Sequence, residues 1–430
     1  MAERAWKPED RVASRALRFV QELLNDYHPR DFAIELWEGT HWGPEASQFR
    51  RFTWRINDPS SLRALLGSPS QVVLAEAYIY SQFDFDGDIA AVFPLANYLL
   101  NKHWSVKEKL RLGGLLLGLP AQPTGQPAAG TVKLRGGVHS KQRDRQAVSY
   151  HYDVSNDFYR LWLDQNMVYS CGYFQKPNDD LDRAQQQKVD YICRKLRLKP
   201  REKLLDIGCG WGGLIIHAAR QYGVQALGIT LSEQQLGFAR ERILREGLAG
   251  RCQVRLLDYR DVEGSGTYDK LASVGMVEHV GSSRLPEYFQ HAYRLLRPGG
   301  VFLNHGIGRA GNRPSPPRPT FTDVYVFPDG ELVPLATTLQ AAEEAGFEVR
   351  DLENLREHYA LTLHHWLRRL EAHADEARLV ADEVKYRIWR LYLAGSEYYF
   401  RSGKLDLYQT LLVKSDAGRS GLPMTRGDWY

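Results

Sequence analysis

Cysteine is scarce. Four residues (Cys171, Cys193, Cys209, Cys252) are scattered through 430, with no Cys-x-x-Cys pair. That argues against a disulfide framework or a cysteine zinc site and makes a reducing cytoplasm the default. No apolar run reaches the roughly 18 residues that a membrane-crossing helix requires. The start, Met1-Ala2-Glu3-Arg4, is charged and no apolar stretch follows it, so no signal peptide is read there. A dominant charge is missing too: 56 Lys and Arg against 52 Asp and Glu leave a net +4. This is too mild to argue for nucleic acid, yet compatible with an anionic membrane surface.

What is present is globular material, 43% hydrophobic and 25% charged, long enough for two or three domains of roughly 150 residues. Trp (10), Tyr (23) and Phe (16) are plentiful, which suits an apolar or cationic ligand as well as a large core.

The stretch from Pro120 to Gly130, rich in Pro, Gly and small residues, reads as a linker. It separates an N-terminal domain (1–119) from a second domain (136–430) across a joint at 120–135. The N-terminal part reads as α+β or mostly helical. Residues 10–25 have helical apolar spacing, whereas Phe32–Trp37 and Phe49–Ile56 alternate like strands. Residues 71–80 and 89–101 read as helices. The segment 102–117 is basic and then strongly apolar. It suits a helix lying on a membrane surface, or equally one packed on the main domain with its cations in water.

From about residue 185 strands and helices alternate. Lys203–Ile207, Val224–Ile229, Val254–Leu257, Tyr268–Val274 and Gly300–Asn304 read as strands, with helices over 214–222, 233–246 and 285–296. The alternation predicts an α/β fold, a doubly wound, mainly parallel sheet. Between the first strand and its helix stands Asp206-Ile-Gly-Cys-Gly-Trp-Gly-Gly213. Gly208, Gly210 and Gly212 permit a tight turn and close approach of backbone to ligand. A nicotinamide cofactor would call for G-x-G-x-x-G and an acid near the tip of the second strand. Gly212 falls one place early, and the second strand ends in Gly228-Ile-Thr-Leu-Ser232 with no acid. The pattern instead suits S-adenosylmethionine (SAM), which has no pyrophosphate to seat.

Six stretches resemble, in order, the cyclopropane fatty acyl phospholipid synthase and mycolic acid cyclopropane synthase family. They are Tyr150–Tyr159 (YHYDVSNDFY), Tyr169–Phe174 (YSCGYF), Leu204–Gly213, Gly228–Gln235 (GITLSEQQ), Ser273–Gly281 (SVGMVEHVG) and Leu355–Leu363 (LREHYALTL). The resemblance covers about residues 140–415 and implies that the sheet is seven-stranded and Rossmann-like. It implies SAM contacts at Tyr169, Ser170, Gly208, Thr230, Leu231 and Gln235, and aligns Tyr259 and Arg260 near the adenine. Asp206, Cys209, Gly210, Gly212 and Asp258 complete the candidate cofactor set. Taken singly, Ser170 or Gln235 reads more simply as a cap or surface polar residue.

Methylating an unactivated alkene needs an in-line methyl donor, exclusion of water from the resulting cation, aromatic faces and a base. The resemblance implies that the base is bicarbonate held by protein groups and not by a metal, at Cys171, Glu278, His305, Ile307 and Tyr359. Glu278 follows the fourth strand, and His305 and Ile307 follow the fifth. Ligands bind at such strand ends. Cys171 is assigned backbone contacts, and His279 a structural role. One departure is Ser396, which stands where the family often carries cysteine. Without a base, a serine there is a poor nucleophile.

The resemblance therefore implies a SAM-dependent C-methyltransferase that adds a methylene bridge across a cis double bond of an unsaturated phospholipid acyl chain. The enzyme would be cytoplasmic and peripheral on the inner face of the membrane. The loop Arg309–Pro319 reads as solvated or as a contact for phosphate headgroups, and residues 358–370 and 384–400 as walls of an acyl channel or as core. A second outcome of the same cation is a methylene- or methyl-branched chain, whose saturation requires a reductase partner. A small-molecule N- or O-methyltransferase and a lipid-binding protein without turnover are further alternatives. The N-terminal domain leaves room for a homodimer.

Overall fold

The computed structural model describes residues 8–63, 70–120, 134–152, 154–311 and 319–429. Most of the expected linker (121–133) and residues 312–318 of the basic Pro-rich loop lie outside these. The chain divides into two compact units. The first comprises Met1–Thr131, Pro317–Tyr325 and Glu383–Tyr398, and the second Val132–Pro316, Val326–Asp382 and Tyr399–Tyr430.

The first unit is built on a four-stranded sheet. Strands β1 (Phe32–Leu36), β2 (His41–Trp42), β3 (Phe52–Ile56) and β4 (Phe83–Gly87) lie in the order β2-β1-β3-β4, with β1 and β3 parallel. Alternate residues bury a cluster of rings. Phe32 stacks on Phe52 at 4.7 Å, and Phe83 and Phe85 pack edge-on at 5.3 Å. The strand expected to start at Phe49 starts at Phe52, and Phe49 is exposed. Helix Pro8–Leu23 buries Ala16, Phe19, Val20 and Leu23 along one stripe, as its spacing dictates. The chain returns to this unit through Glu383–Tyr398. There the guanidinium of Arg387 donates to Asp84 (2.6 Å), Glu383 (2.6 Å) and the Tyr78 carbonyl (2.9 Å). Two carboxylates offset the cost of burying that cation.

The second unit holds seven strands: β5 (Lys203–Ile207), β6 (Gln225–Thr230), β7 (Cys252–Leu256), β8 (Tyr268–Val274), β9 (Leu296–Arg309), β10 (Glu348–Asn354) and β11 (Leu405–Val413). Their order is β10-β11-β9-β8-β5-β6-β7. All pairings are parallel except those of β11 with β9 and β10. Neighbouring residues of β5 point to opposite faces. Leu204 joins one buried cluster, against helices Leu181–Leu196 and Gly213–Tyr222. Leu205 and Ile207 join the other, against helix Leu285–Leu295.

One strand departs from expectation. The fifth, read as Gly300–Asn304, runs from Leu296 to Arg309, so His305 and Ile307 lie within it and not beyond it. Gly306 and Gly308 interrupt the apolar pattern, and the extension is held by antiparallel pairing with β11, His305 opposite Gln409 and Ile307 opposite Leu407.

The turn after β5 leans on β6. The Gly208 and Cys209 amides both donate to the Ile229 carbonyl, at 3.1 and 2.9 Å. A Cβ at Gly228 would stand 2.6 Å from Cys209 Sγ and 2.8 Å from Ile215 Cδ1, far inside contact distance. Gly228→Ala is expected to cost about 1–3 kcal/mol. Cys209→Ala in the same chain should recover part of that loss. Unfolding midpoints of the two single variants and the double variant check this, and strict additivity would overturn the steric account.

Candidate functional site

The glycine turn opens a cleft in the second unit, with an empty volume of about 1130 Å³ including its mouth. Of the residues assigned to the cofactor, Tyr169, Ser170, Asp206, Gly208, Cys209, Gly210, Thr230, Leu231, Gln235, Asp258, Tyr259 and Arg260 line it. Gly212 stands one step back, as the N-cap of helix Gly213–Tyr222 at φ +83°. At that φ a side chain would be strained.

The walls are fixed by short polar links. Thr230 Oγ1 donates to Gln235 Oε1 at 2.7 Å, and the Gln235 amide caps on Ser232 Oγ at 3.2 Å. This leaves the Gln235 side-chain NH₂ as a donor. Arg260 clasps Asp258 (2.6 Å) and Asp144 (2.8 Å) and reaches the His139 carbonyl (3.1 Å). Its charge is matched by two carboxylates. Helix Leu181–Leu196 ties down the loop carrying Tyr169 and Ser170. The Gln185 amide donates to the carbonyls of Val168 (3.2 Å) and Ser170 (2.7 Å), and Lys188 Nζ to Ser170 Oγ (2.7 Å).

Lys188 is the wall residue that sequence reasoning missed. It is 2% exposed, and burial pulls its ammonium down to about 8. Burial likewise pushes the Asp206 carboxyl up to about 7, opposed by the positive field of Lys188. Asp206 Oδ1 has no hydrogen-bond partner among the described residues. The cleft thus carries a buried donor and a buried acceptor of opposite charge beside the glycine turn. A lysine seven residues into an amphipathic helix has no local signature; only the fold turns it inward.

Tyr152 and Tyr169 line the cleft, and Trp162 and Trp366 are fully buried against Tyr169. The Tyr169 ring lies 5.1 Å from Trp366, 5.3 Å from Trp162 and 6.1 Å from Tyr152, and Trp366 in turn lies 6.0 Å from Tyr359. Ring faces of this kind attract cations. His279 also lines the cleft, and burial pulls it down to about 4. It is neutral near pH 7.

Glu278 sits in a turn between residues that line the cleft (Met276 and His279) at the end of β8. Its Oε1 accepts from the Ile307 amide at 2.6 Å, while Oε2 is buried without a partner among the described residues. Burial raises the carboxyl to about 7. His305 is 1% exposed and held well below its usual value by burial. Its Nδ1 meets the Gln409 side-chain amide nitrogen at 3.1 Å, and with the amide in that orientation the ring proton sits on Nε2. That nitrogen too is buried without a partner among the described residues. His305 and Ile307, two apart on β9, project from the same face.

Cys171 and Tyr359 join through one carbonyl. Leu355 O accepts from the Tyr359 amide (3.0 Å) and faces Cys171 Sγ (3.9 Å), and the Leu355 amide donates to Leu407 O (2.8 Å), opposite Ile307. Thr362 Oγ1 accepts from the Gly172 amide at 2.9 Å. The Cys171 thiol is pushed up by burial, hence an unreactive thiol. Cys171, Glu278, His305, Ile307 and Tyr359 therefore share one network in the second unit. Ser396 lies in the first, on the part of helix Ala374–Arg401 that follows the break at Asp382 (φ +70°). Among the described residues no group of His, Cys, Asp or Glu is arranged to hold a metal ion.

Residues 139–410 match the family described as mycolic acid cyclopropane synthetase. A probable fatty acid methyltransferase of Pseudomonas putida is 42% identical over 406 residues, 92% of this chain and 95% of that protein. The cyclopropane-fatty-acyl-phospholipid synthase of Escherichia coli K12 is 37% identical over 292 residues, 67% of this chain and 72% of that protein. Among solved structures, mycolic acid cyclopropane synthase CmaA1 complexed with SAH and CTAB superposes with a TM-score of 0.59 at 32% identity, covering 62% of this chain and 97% of that one. With more than half of its length matched, and with a glycine turn, a Thr230–Gln235 pair and an acid-free second strand in its cofactor cleft, the chain belongs to the mycolic acid cyclopropane synthetase family of SAM-dependent methyltransferases.

Proposed function

We propose that this enzyme is a cyclopropane-fatty-acyl-phospholipid synthase acting on cis-unsaturated acyl chains at the cytoplasmic membrane surface. The observation that carries the reading is a pair of buried groups without a partner among the described residues, Glu278 Oε2 in the turn after β8 and His305 Nε2 within β9. An N- or O-methyltransferase has a polar acceptor that fills such groups with its own atoms. An alkene has none to offer, so the pair suits a small separate oxyanion. A bicarbonate fits both, with its hydroxyl given to Glu278 and an oxygen accepting from His305. Bound there, it would supply the acceptor for the proton lost as the ring closes.

The chain's own residues do the rest. The positive-φ glycines bring backbone close to the cofactor, and the Gln235 amide and Thr230 occupy the place where an acid would hold a ribose. SAM supplies an electrophilic methyl group. The alkene π pair forms the new carbon–carbon bond as the methyl–sulfur bond breaks, and one methyl proton then leaves as the second bond of the ring forms. The products are the cyclopropane, S-adenosylhomocysteine and one proton. Tyr152 and Tyr169, which line the cleft, offer rings to a transient cation, and Trp162 and Trp366 packed against Tyr169 hold it in place. His305, with its Nδ1 held against the Gln409 amide, and the buried, unreactive Cys171 thiol add no competing nucleophile.

Purified enzyme, SAM and vesicles of cis-monounsaturated phospholipid, with and without bicarbonate, test this. Gas chromatography with mass spectrometry of the transesterified lipids should show a product one CH₂ heavier that resists hydrogenation, formed faster with bicarbonate. A hydrogenatable isomer would move the assignment to a methylene-branched chain. No heavier product, with SAM bound, would overturn the phospholipid reading.

Glu278 makes a second test, in which activity and stability separate. A buried carboxyl raised from its usual 4.5 to about 7 binds its proton more tightly in the folded state. Wild-type stability therefore falls as pH rises across that window and stays low above it. Glu278→Gln keeps an acceptor for the Ile307 amide but has no charge to bury. It should be indistinguishable from wild type below about pH 4.5 and more stable above pH 7, by on the order of 3 kcal/mol. Turnover should fall by about 10²–10⁴-fold. Melting curves across pH, with the lipid assay alongside, read both effects. Equal melting points at pH 8 would overturn the burial argument.

A further inference from the structure

Helix Val106–Leu116 in the first unit is well anchored on one side. Ser105 and Glu108 form a reciprocal cap, with Ser105 N to Glu108 Oε2 at 2.8 Å and Glu108 N to Ser105 Oγ at 3.3 Å. Leu112 and Leu119 are buried, and Arg111 pairs with Glu22 of helix Pro8–Leu23 at 2.7 Å. Arg63 donates to the carbonyls of Leu116 (3.2 Å) and Leu119 (2.6 Å), a cation placed at the negative end of the helix.

The opposite side is bare. Val106, Leu110 and Leu117 are 76%, 73% and 83% exposed. At about 100° per residue they fall within about 40° of one another, on a continuous apolar stripe. Lys107 and Lys109 flank it, one on each side. Both are exposed and neither makes an ion pair among the described residues. The acid of this helix, Glu108, points the other way and is engaged by Ser105. Exposed leucines elsewhere, such as Leu244 and Leu379, carry no such flanking pattern, and single ones need no explanation.

We infer that this stripe is the surface by which the enzyme docks on an anionic phospholipid bilayer, Val106, Leu110 and Leu117 entering the acyl boundary and Lys107 and Lys109 meeting headgroup phosphates. Charge complementarity selects the occupant. A second copy meeting the same face would set lysine against lysine with no acid to match. Three side chains also fall far short of the roughly 800 Å² per partner of a stable protein interface. A lipid surface supplies both the apolar layer and the anions. The inference rests on the proposed membrane substrate for its purpose, but its test is independent of turnover.

The test is flotation of the full chain with vesicles of phosphatidylcholine alone or mixed with phosphatidylglycerol. Wild type should prefer the anionic vesicles. Val106→Ser/Leu110→Ser/Leu117→Ser should bind both kinds at least tenfold more weakly, and Leu379→Ser should match wild type. Lys107→Gln/Lys109→Gln, which disturbs no packing, should lose about fivefold per lysine on anionic vesicles at low salt and nothing on neutral ones. All variants should retain wild-type SAM affinity and methyl transfer to detergent-dispersed lipid. Wild-type flotation of both the triple and the lysine variants would overturn the docking surface. So would a change of oligomeric mass in the triple variant with vesicle binding intact, which would make the stripe a self-association face. If no lipid is ever methylated but the variants still lose vesicle binding, the docking surface stands and the proposed reaction falls.

Discussion

The antiparallel pairing of β9 with β11 is the constraint on which the reacting centre depends. Without it β9 would end near Asn304, where its apolar pattern stops. With it, five further residues are held as strand. That extension presents His305 to Gln409 and turns the Ile307 amide toward Glu278. It also sets Leu407 against Leu355, whose carbonyl receives Tyr359 and faces Cys171. Five residues spread over nearly 190 positions of sequence become one cluster because a late strand closes the edge of the parallel sheet. Gly306 fits the scheme, since a Cβ there would stand 2.3 Å from Val277 Cγ1, in the turn that carries Glu278.

Desolvation pushes several buried groups in this region against charge, whereas Arg260 in the cleft wall is held charged by Asp258 and Asp144. Glu278 and Asp206 are raised toward neutrality, and His305, His279 and Lys188 are lowered toward it. A dry, weakly charged pocket is a poor place for ordinary acid–base hydrolysis. It is a good place for a reaction whose intermediate is a carbocation, because the hazard there is capture by water or by an ionised side chain. The Tyr152 and Tyr169 rings in the cleft wall supply negative potential to such a cation.

The glycine turn, the parallel strands and the order of the motifs were legible in the sequence because each is local: a strand, a turn and a helix within about 20 residues. All the residues read from those motifs as cofactor contacts except Gly212 reach the cleft, and Gly212 shapes the turn behind it. Lys188, Gln409, Thr362 and Trp366 were not legible. Their roles come from long-range pairing, β11 against β9 and helix Arg356–Ala372 against the Cys171 loop, which no spacing rule announces. The length of β9 was missed for the same reason. Ser396, which the resemblance aligns with a family cysteine, lies on the part of helix Ala374–Arg401 that follows the break at Asp382.

The two units solve the burial of polar groups in different ways, and the difference follows their tasks. In the first, the buried Arg387 is matched by Asp84 and Glu383, with a backbone carbonyl taking the remaining donor. Such matching makes a rigid platform, which suits a surface element that must hold its shape against a partner. In the second, Glu278 Oε2, His305 Nε2 and Asp206 Oδ1 are left unmatched among the described residues, at a cost of about 1–3 kcal/mol each. Unmatched buried groups weaken a fold, and these three lie on or just after β5, β8 and β9, in a sheet whose parallel strands receive ligands at their carboxyl ends. The stability lost there is recovered only when ligands supply the missing partners. Ligands that reach these three groups should therefore stabilise the second unit.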